Sequence, residues 1–339
     1  MRSPLVLTRP QILAFRRRAG ALDERLPRGA ASLRRAAWAG LQDSMPRAAL
    51  LSIHARVEGT EPSSWEDPAL VQLWGPRYSA YVVAAPDVAV FTLGRYPDDE
   101  KSRRRAEEAA ARLHAHLGGA RMRYGDAGDA LGVNPNALRY GAPTGTILIR
   151  WDGARQPVVW TVPRPDVDPF EARLELARRY LHVFGPATAA AFSKWAGISG
   201  RAGAAAFDAL LPSLAAARTP VGEGWILASD GAGFQEDPGP GAPARLLPSG
   251  DAFFLLQGAD RALLVPDVAR QRELWTPRVW PGAILLGGEV RGIWRRANEV
   301  VTVEAWGTVS RAERDAIEAE AAALPLPGLE REICVRWGE

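Results

Sequence analysis

The chain has 339 residues, 47% hydrophobic and 24% charged, with a net charge of only +3 from 42 cations against 39 anions. That balance excludes a disordered tail and a disulfide-stapled mini-domain, and at roughly 100–200 residues per domain it predicts two or three modules. A lone cysteine, Cys334, excludes an intramolecular disulfide and a cysteine-rich zinc site. Every cation except Lys101 and Lys194 is arginine, whose planar fork suits phosphate. A GC-rich genome gives the same bias, so composition permits nucleic-acid binding without establishing it. The start, Met1-Arg2-Ser3-Pro4, leads into no signal-like apolar core, and no stretch approaches the ~18 apolar residues of a membrane span. A soluble cytoplasmic protein is expected.

In chain order, Thr8 and Pro10 open a helix carrying Ile12, Leu13 and Phe15. A second helix fits Ala31–Leu41, with Leu33, Ala37 and Leu41 on one face and Arg34 and Arg35 on the other. A third fits Pro46–Val57, and Asp67-Pro68 starts a short fourth ending near Trp74. Alternation through Tyr78–Val83 then predicts a strand. A second unit opens at Pro97-Asp98-Asp99 with a long helix to about His116. Its polar face, including Lys101, Arg103, Arg104 and Arg105, reads first as a solvated face. Short helices at Gly125–Leu131 and Pro135–Tyr140 precede the strands Thr146–Trp151 and Pro157–Thr161, which flank Asp152-Gly153, a hairpin signal.

The third unit is the clearest. Helices Phe170–Val183, Ala187–Ala196 and Arg201–Leu214, broken at Gly185-Pro186 and Gly197, lead to two strands about Gly222-Glu223-Gly224. Helices followed by a small hairpin are the chain order of a winged helix. Asp230–Pro243 reads as a glycine- and proline-rich loop. Short strands at Phe253–Leu256, Ala283–Leu286, Glu289–Trp294 and Val300–Ala305, a helix over Ser310–Leu324 and a strand at Glu332–Trp337 follow. The expected class is α+β: three tandem winged-helix units (1–96, 97–165, 166–230) and a β-rich, barrel-like C-terminal part (231–339).

The common catalytic signatures, a phosphate-binding Gly-rich loop or a His-Glu-x-x-His helix, do not occur in the sequence. His114 and His116 point to different helix faces, which makes a poor metal pair, and Cys334 is expected as a buried inert thiol. One junction stands out. Between two predicted helices lie Gln42, Asp43 and Ser44, then Pro46 and Arg47. Asp43 or Ser44 can cap the following helix; alternatively the polar trio and Arg47 form one wall of an anion-binding or catalytic cleft.

The run Gly40-Leu41-Gln42-Asp43-Ser44-Met45-Pro46-Arg47-Ala48 resembles the Gly-Leu-Gln-x-Gln-x-Pro-Arg-Ala signature of winged-helix DNA glycosylases of the AlkZ/YcaQ type. Leu73–Ser79, Arg179–Thr188, Trp195–Ile198 and Leu246–Asp251 resemble further segments of that family. The resemblance implies hydrolysis of the bond between deoxyribose and an alkylated base in double-stranded DNA, chiefly N7-alkylguanine, including bulky or crosslinked adducts. It implies no metal or cofactor and a monomer. Its active-site motif is Gln-x-Gln or Gln-x-Asp; here Gln42 keeps the first position, Ser44 replaces the second and Asp43 lies between. The resemblance makes Gln42, with Asp43 or Ser44, the expected catalytic residues. Arg34, Arg35, Arg47, Arg77, Arg103, Arg150 and Arg155 are the expected DNA contacts. A second reading keeps the fold and the DNA binding but not the chemistry, since Ser44 is shorter than glutamine and cannot ionise.

Overall fold

The computed structural model describes residues 3–153, 155–328 and 332–338. Strand β1 (Leu5–Val6) precedes helix α1 (Arg9–Ala19). Thr8 and Gln11 form a reciprocal capping box there, with Pro10 in the first turn. Helix α1 is buried nearly all round: Ile12, Leu13 and Ala14 are sequestered, and so are Arg16 and Arg17. The Arg16 guanidinium donates to the carbonyls of Phe184 (2.6 Å) and Gly185 (3.0 Å), satisfying the orphan end of helix Pro169–Phe184.

Helix α2 (Ala30–Ala36) stops sooner than the apolar spacing suggests, and Leu41–Gln42 becomes strand β2. Helix α3 (Ala48–His54) starts after Arg47, which has a left-handed φ of 65°. Strands β3 (Leu70–Trp74) and β4 (Ala80–Ala84) complete a sheet of order β2-β4-β3. The helix expected before Trp74 is therefore a strand. Asp67 Oδ1 accepts the Ala69 N–H in a tight turn, and Leu70, Gln72, Leu73 and Trp74 are buried, so the run carries no alternation to betray it.

The long helix expected after Pro97-Asp98-Asp99 runs over Glu100–Leu117, with Asp99 as its cap. Strand β5 (Met122–Arg123), a helix (Tyr124–Ala130) and a 3₁₀ stretch capped by Asn134 (Pro135–Thr144) lead to β6 (Ile147–Arg150) and β7 (Val158–Thr161), with sheet order β5-β7-β6. Helices Pro169–Phe184, Ala189–Ala196 and Gly200–Leu210 follow, capped by Asp168, Thr188 and Ser199. They precede the hairpin β8 (Leu214–Thr219) and β9 (Gly222–Leu227). The turn is at Pro220-Val221, ahead of the Gly222–Gly224 segment expected to make it. Gly224 serves a close approach instead, since a Cβ there would fall 3.0 Å from the Ala187 nitrogen. The N-terminal β1 pairs in parallel with β8, so the chain's start completes this third sheet.

The C-terminal part is an open five-stranded sheet, β10 (Arg245–Leu247), β11 (Gly282–Leu286), β12 (Glu289–Ala297), β13 (Val300–Ala305) and β14 (Cys334–Trp337), in that order. This corrects the barrel-like expectation: no pairing among the described residues joins β10 to β14. Helix Arg311–Ala322 intervenes between β13 and β14, so β14 returns parallel. Its Ile317 and Ala321 pack with Leu246, Ile284, Val301 and Val303. Three smaller corrections belong here. Phe253–Leu256 is a 3₁₀ turn over Ala252–Phe254 and not a strand, the loop after Asp230 holds a short helix (Gly231–Gln235), and Cys334 is exposed. Among the described residues no helix is long and apolar enough to cross a membrane.

The segment Pro248–Asp251, between β10 and that turn, is tied to α3 by a buried ion pair. Arg56 makes two 2.7 Å bonds to the carboxylate of Asp251, and Ser52 Oγ adds a third at 2.6 Å. Burial pushes the Asp251 carboxyl up, but Arg56, Ser52 and the Phe253 N–H outweigh it and hold it below the ordinary range. Arg56→Met leaves that carboxylate buried without its partner. It is expected to cost about 3–5 kcal/mol in urea unfolding, with part regained by adding Asp251→Asn. A loss within ~0.5 kcal/mol would show that the pair does not hold the segment.

Candidate active site

In strand β2 successive side chains point to opposite faces, and the chain bends at Ser44. The cross-strand register pairs Gln42 with Tyr81 and Leu41 with Val82, and places Gln72 opposite Val82. One face of the sheet therefore carries Gln42, Tyr81 and Leu73. The other carries Leu41, Val82 and Gln72. Asp43, whose N–H bonds to the Ala80 carbonyl, continues the second set and is 2% exposed. Ser44 is exposed beside Gln42, whose Nε2 donates to Ser44 Oγ at 3.0 Å. The polar trio is thus divided: the half-buried Gln42 and the exposed Ser44 lie together, and Asp43 is buried on the other side.

The Gln42 amide is held at both ends. Arg77 donates to its Oε1 at 3.3 Å and the Tyr81 hydroxyl at 3.4 Å, which turns Nε2 toward Ser44. Gly250 closes the far side, where a Cβ would come within 3.2 Å of the amide. Arg77 and Tyr78 are consecutive left-handed residues with φ of 55° and 59°. Such backbone is sparsely populated by non-glycine residues and persists where the surroundings over-determine it. The Arg77 Nε is buried without a partner among the described residues.

Behind the strand, Asp43 Oδ1 accepts the Ala49 N–H of α3 at 3.0 Å, and Oδ2 accepts from Gln72 Nε2 at 2.7 Å. The helix end expected as an anion seat is thus occupied by the chain's own carboxylate. Burial pushes the Asp43 carboxyl up to about 6, against the opposing pull of the Ala49 N–H, the Arg47 charge, the Gln72 amide and the Arg150 charge. Arg47 and Arg150 also stack on Trp65, with guanidinium carbons 3.7 and 3.6 Å from its ring centroid. Glu66 pairs with Arg150 at 3.3 Å.

Of the expected DNA contacts, Arg47, Arg77 and Arg150 gather around Gln42–Pro46, and Arg155 is exposed beside the hairpin tip, its N–H bonded to Asp152. Arg34 is committed elsewhere, bidentate to the buried Asp87 at 2.7 and 3.0 Å. Arg35 and Arg103 are exposed on α2 and on helix Glu100–Leu117. Sequence reasoning missed Gln72, Tyr81, Trp65 and Gly250. Gln72 was hidden inside an expected helix; Tyr81 could have been found, since it lies in the expected strand and faces Gln42 once the two are paired.

The model of the family described as "DNA glycosylase AlkZ-like" matches residues 36–325, the whole of this site included. The chain belongs to the AlkZ-like DNA glycosylase family. It is therefore a DNA glycosylase, a hydrolase acting on N-glycosidic bonds in DNA. Streptomyces sahachiroi DNA glycosylase AlkZ has a similar structure, with a TM-score of 0.76 over 100% of both chains at 16% sequence identity. No curated protein sequence matches the chain.

In its ionised form Asp43 has an N–H donor for each oxygen, and protonation weakens the carboxyl as acceptor of both. The carboxyl ionises above its raised value, so the ionised form that accepts both N–H groups is present above about pH 6 and lost as pH falls through it. Base release is expected to decline on the acid side with a midpoint near that value. Asp43→Asn, which does not ionise, is expected to be slow and without this limb. A wild-type rate that is flat from about pH 5 to about pH 8 would exclude Asp43 from setting the site.

Proposed function

We propose that the enzyme hydrolyses the N-glycosidic bond of N7-alkylated guanine in duplex DNA, as a monomer and without a metal or cofactor, through Gln42 and Ser44. The observation that carries this reading is the pairing of those two side chains 3.0 Å apart, Ser44 exposed and the Gln42 amide oriented by Arg77 and Tyr81. Alkylation at N7 makes the base cationic. When the C1′–N9 bond breaks, the electron pair moves to N9 and the base leaves neutral, with no strong general acid needed. Water bonds to C1′ and releases one proton to solvent. The protein's task is then to place that water and to stabilise an oxocarbenium-like sugar.

Ser44 Oγ and the Gln42 amide can align the water, while the inward Asp43 carboxylate supplies a negative field from behind the strand and holds the pair in register. Asp43 is a positioning group in this reading. Arg47, Arg77, Arg150 and Arg155 hold phosphates around the lesion, and Arg34 stays on Asp87. Ser44, shorter than glutamine or aspartate, leaves room for bulky or crosslinked adducts. The three helix-and-hairpin groups over 1–96, 97–165 and 166–230 read as winged helices around the duplex, with 231–339 as a fourth part. The three-stranded sheets within the first two groups, and the β8–β9 hairpin of the third with β1 added from the chain's start, support that reading.

Incubation with a duplex carrying one N7-methylguanine is expected to release 7-methylguanine, detectable by mass spectrometry. Gln42→Ala should abolish release with duplex affinity kept within about threefold. Equal turnover by that variant would remove Gln42 from the mechanism. Ser44→Gln is expected to raise the rate on this small adduct; a loss would mean that serine belongs to a distinct chemistry. Affinity for the duplex should fall by tenfold or more between about 50 and about 200 mM salt, and a flat response would count against phosphate contacts.

A further inference from the structure

Gln72 lies in the middle of β3, 3% exposed, at a position whose strand neighbours Val71 and Leu73 are apolar. Both ends of its amide are used. Oε1 accepts the Trp151 N–H at 2.5 Å, and Nε2 donates to Asp43 Oδ2 at 2.7 Å. Trp151 directly follows β6, at the start of the connection to β7. That connection is seated against the residues after Ser44 in two further ways. A Cβ on Gly153 would fall 2.5 Å from Pro46 Cβ, and Arg150 and Arg47 share the Trp65 ring. A continuous path therefore runs from the second unit's hairpin through Gln72 to Asp43, and from Asp43 to α3 and the pair Gln42 and Ser44.

We propose that Gln72 is a positioning residue of the glycosylase reaction, joining the hairpin that starts at Trp151 to the Asp43 carboxylate and so setting the register of Gln42 and Ser44. This rests on the reading of Gln42 and Ser44 as the reacting pair. A neutral amide suits the place because it offers an acceptor to a backbone N–H and a donor to a carboxylate at once. Leucine offers neither, and an ionised glutamate offers only the acceptor. The charged groups bearing on Asp43 are Arg47 and Arg150, the latter also paired with Glu66; none of them gives its carboxylate a direct hydrogen bond among the described residues.

Two variants test the role on the N7-methylguanine duplex under single-turnover conditions. Gln72→Leu removes both bonds and is expected to slow base release about 10–100-fold, with duplex affinity within about threefold. Gln72→Glu keeps the acceptor for Trp151 but sets a second carboxylate against Asp43. It should be slow at about pH 8 and recover as pH falls toward 6, when the two carboxyls share one proton and one of them again donates. The wild type runs the opposite way over that interval. Titration of Asp43 followed by carboxyl NMR needs no turnover; its midpoint should rise in Gln72→Leu, since an N–H that holds the carboxyl down is gone. Wild-type rates in Gln72→Leu, an unmoved Asp43 midpoint, or a Gln72→Glu rate depressed equally at every pH would each overturn the proposal. Gln42→Ala measured alongside separates the two claims. If it retains activity, the reading of the reacting pair fails; if it is inactive while Gln72→Leu is unaffected, only the role of Gln72 fails.

Discussion

A carboxylate can be buried only where donors meet its oxygens, and this requirement at Asp43 governs the geometry of the site. The side chain is 2% exposed and finds one N–H on α3 and one on Gln72. Once those bonds are made, residue 43 must face inward. Gln42, on the opposite face of β2, is then left beside Ser44, and the two bond to each other across the buried residue between them. The proposed reacting pair is fixed by the residue between its members, and a helical reading of the same segment would have spread the three side chains around an axis.

A second buried carboxylate does complementary work under opposite electrostatics. Asp251 has a guanidinium directly on it and is held below the ordinary range, whereas Asp43 has only neutral donors on its oxygens and is pushed up. Asp251 anchors the segment bearing Gly250, which lies against the Gln42 amide; Asp43 anchors Gln42 from its own strand. Around pH 6 the first anchor stays ionised and the second changes state.

Local chemistry was legible in the sequence. Thr8 and Asn134 cap helical segments where a short oxygen-bearing side chain precedes a run of free N–H groups, and Asp99, Asp168, Thr188, Ser199 and Ser310 do the same at starts whose caps the sequence reading did not name. The candidate junction at Gln42–Ser44 was legible too, through its signature. What could not be read was long-range pairing: Gln72 with Asp43, or Arg56 with Asp251, which lies 195 residues away. The arginine bias was ambiguous for a related reason. Arg16, Arg17, Arg56, Arg95, Arg173, Arg179 and Arg245 are buried and bonded to carbonyls or carboxylates, so part of the excess holds the fold and does not face DNA. Composition does not distinguish the two uses, because the same fork serves both.

Hydrogen-bond polarity limits residue 44 to an acceptor, a condition that serine meets as the glutamine or aspartate of the family signature would. Arg77 and Tyr81 both donate to Gln42 Oε1, so the amide can point only its N–H groups toward residue 44. A side chain there must accept. Serine does so with one lone pair, keeping a second lone pair and a rotatable O–H for a water. A longer acceptor would reach further toward the sugar and leave less open space. An alanine would remove the acceptor for the Gln42 N–H and the hydroxyl proposed to align the water. Serine is the smallest side chain that completes the pair once its polarity has been set from behind.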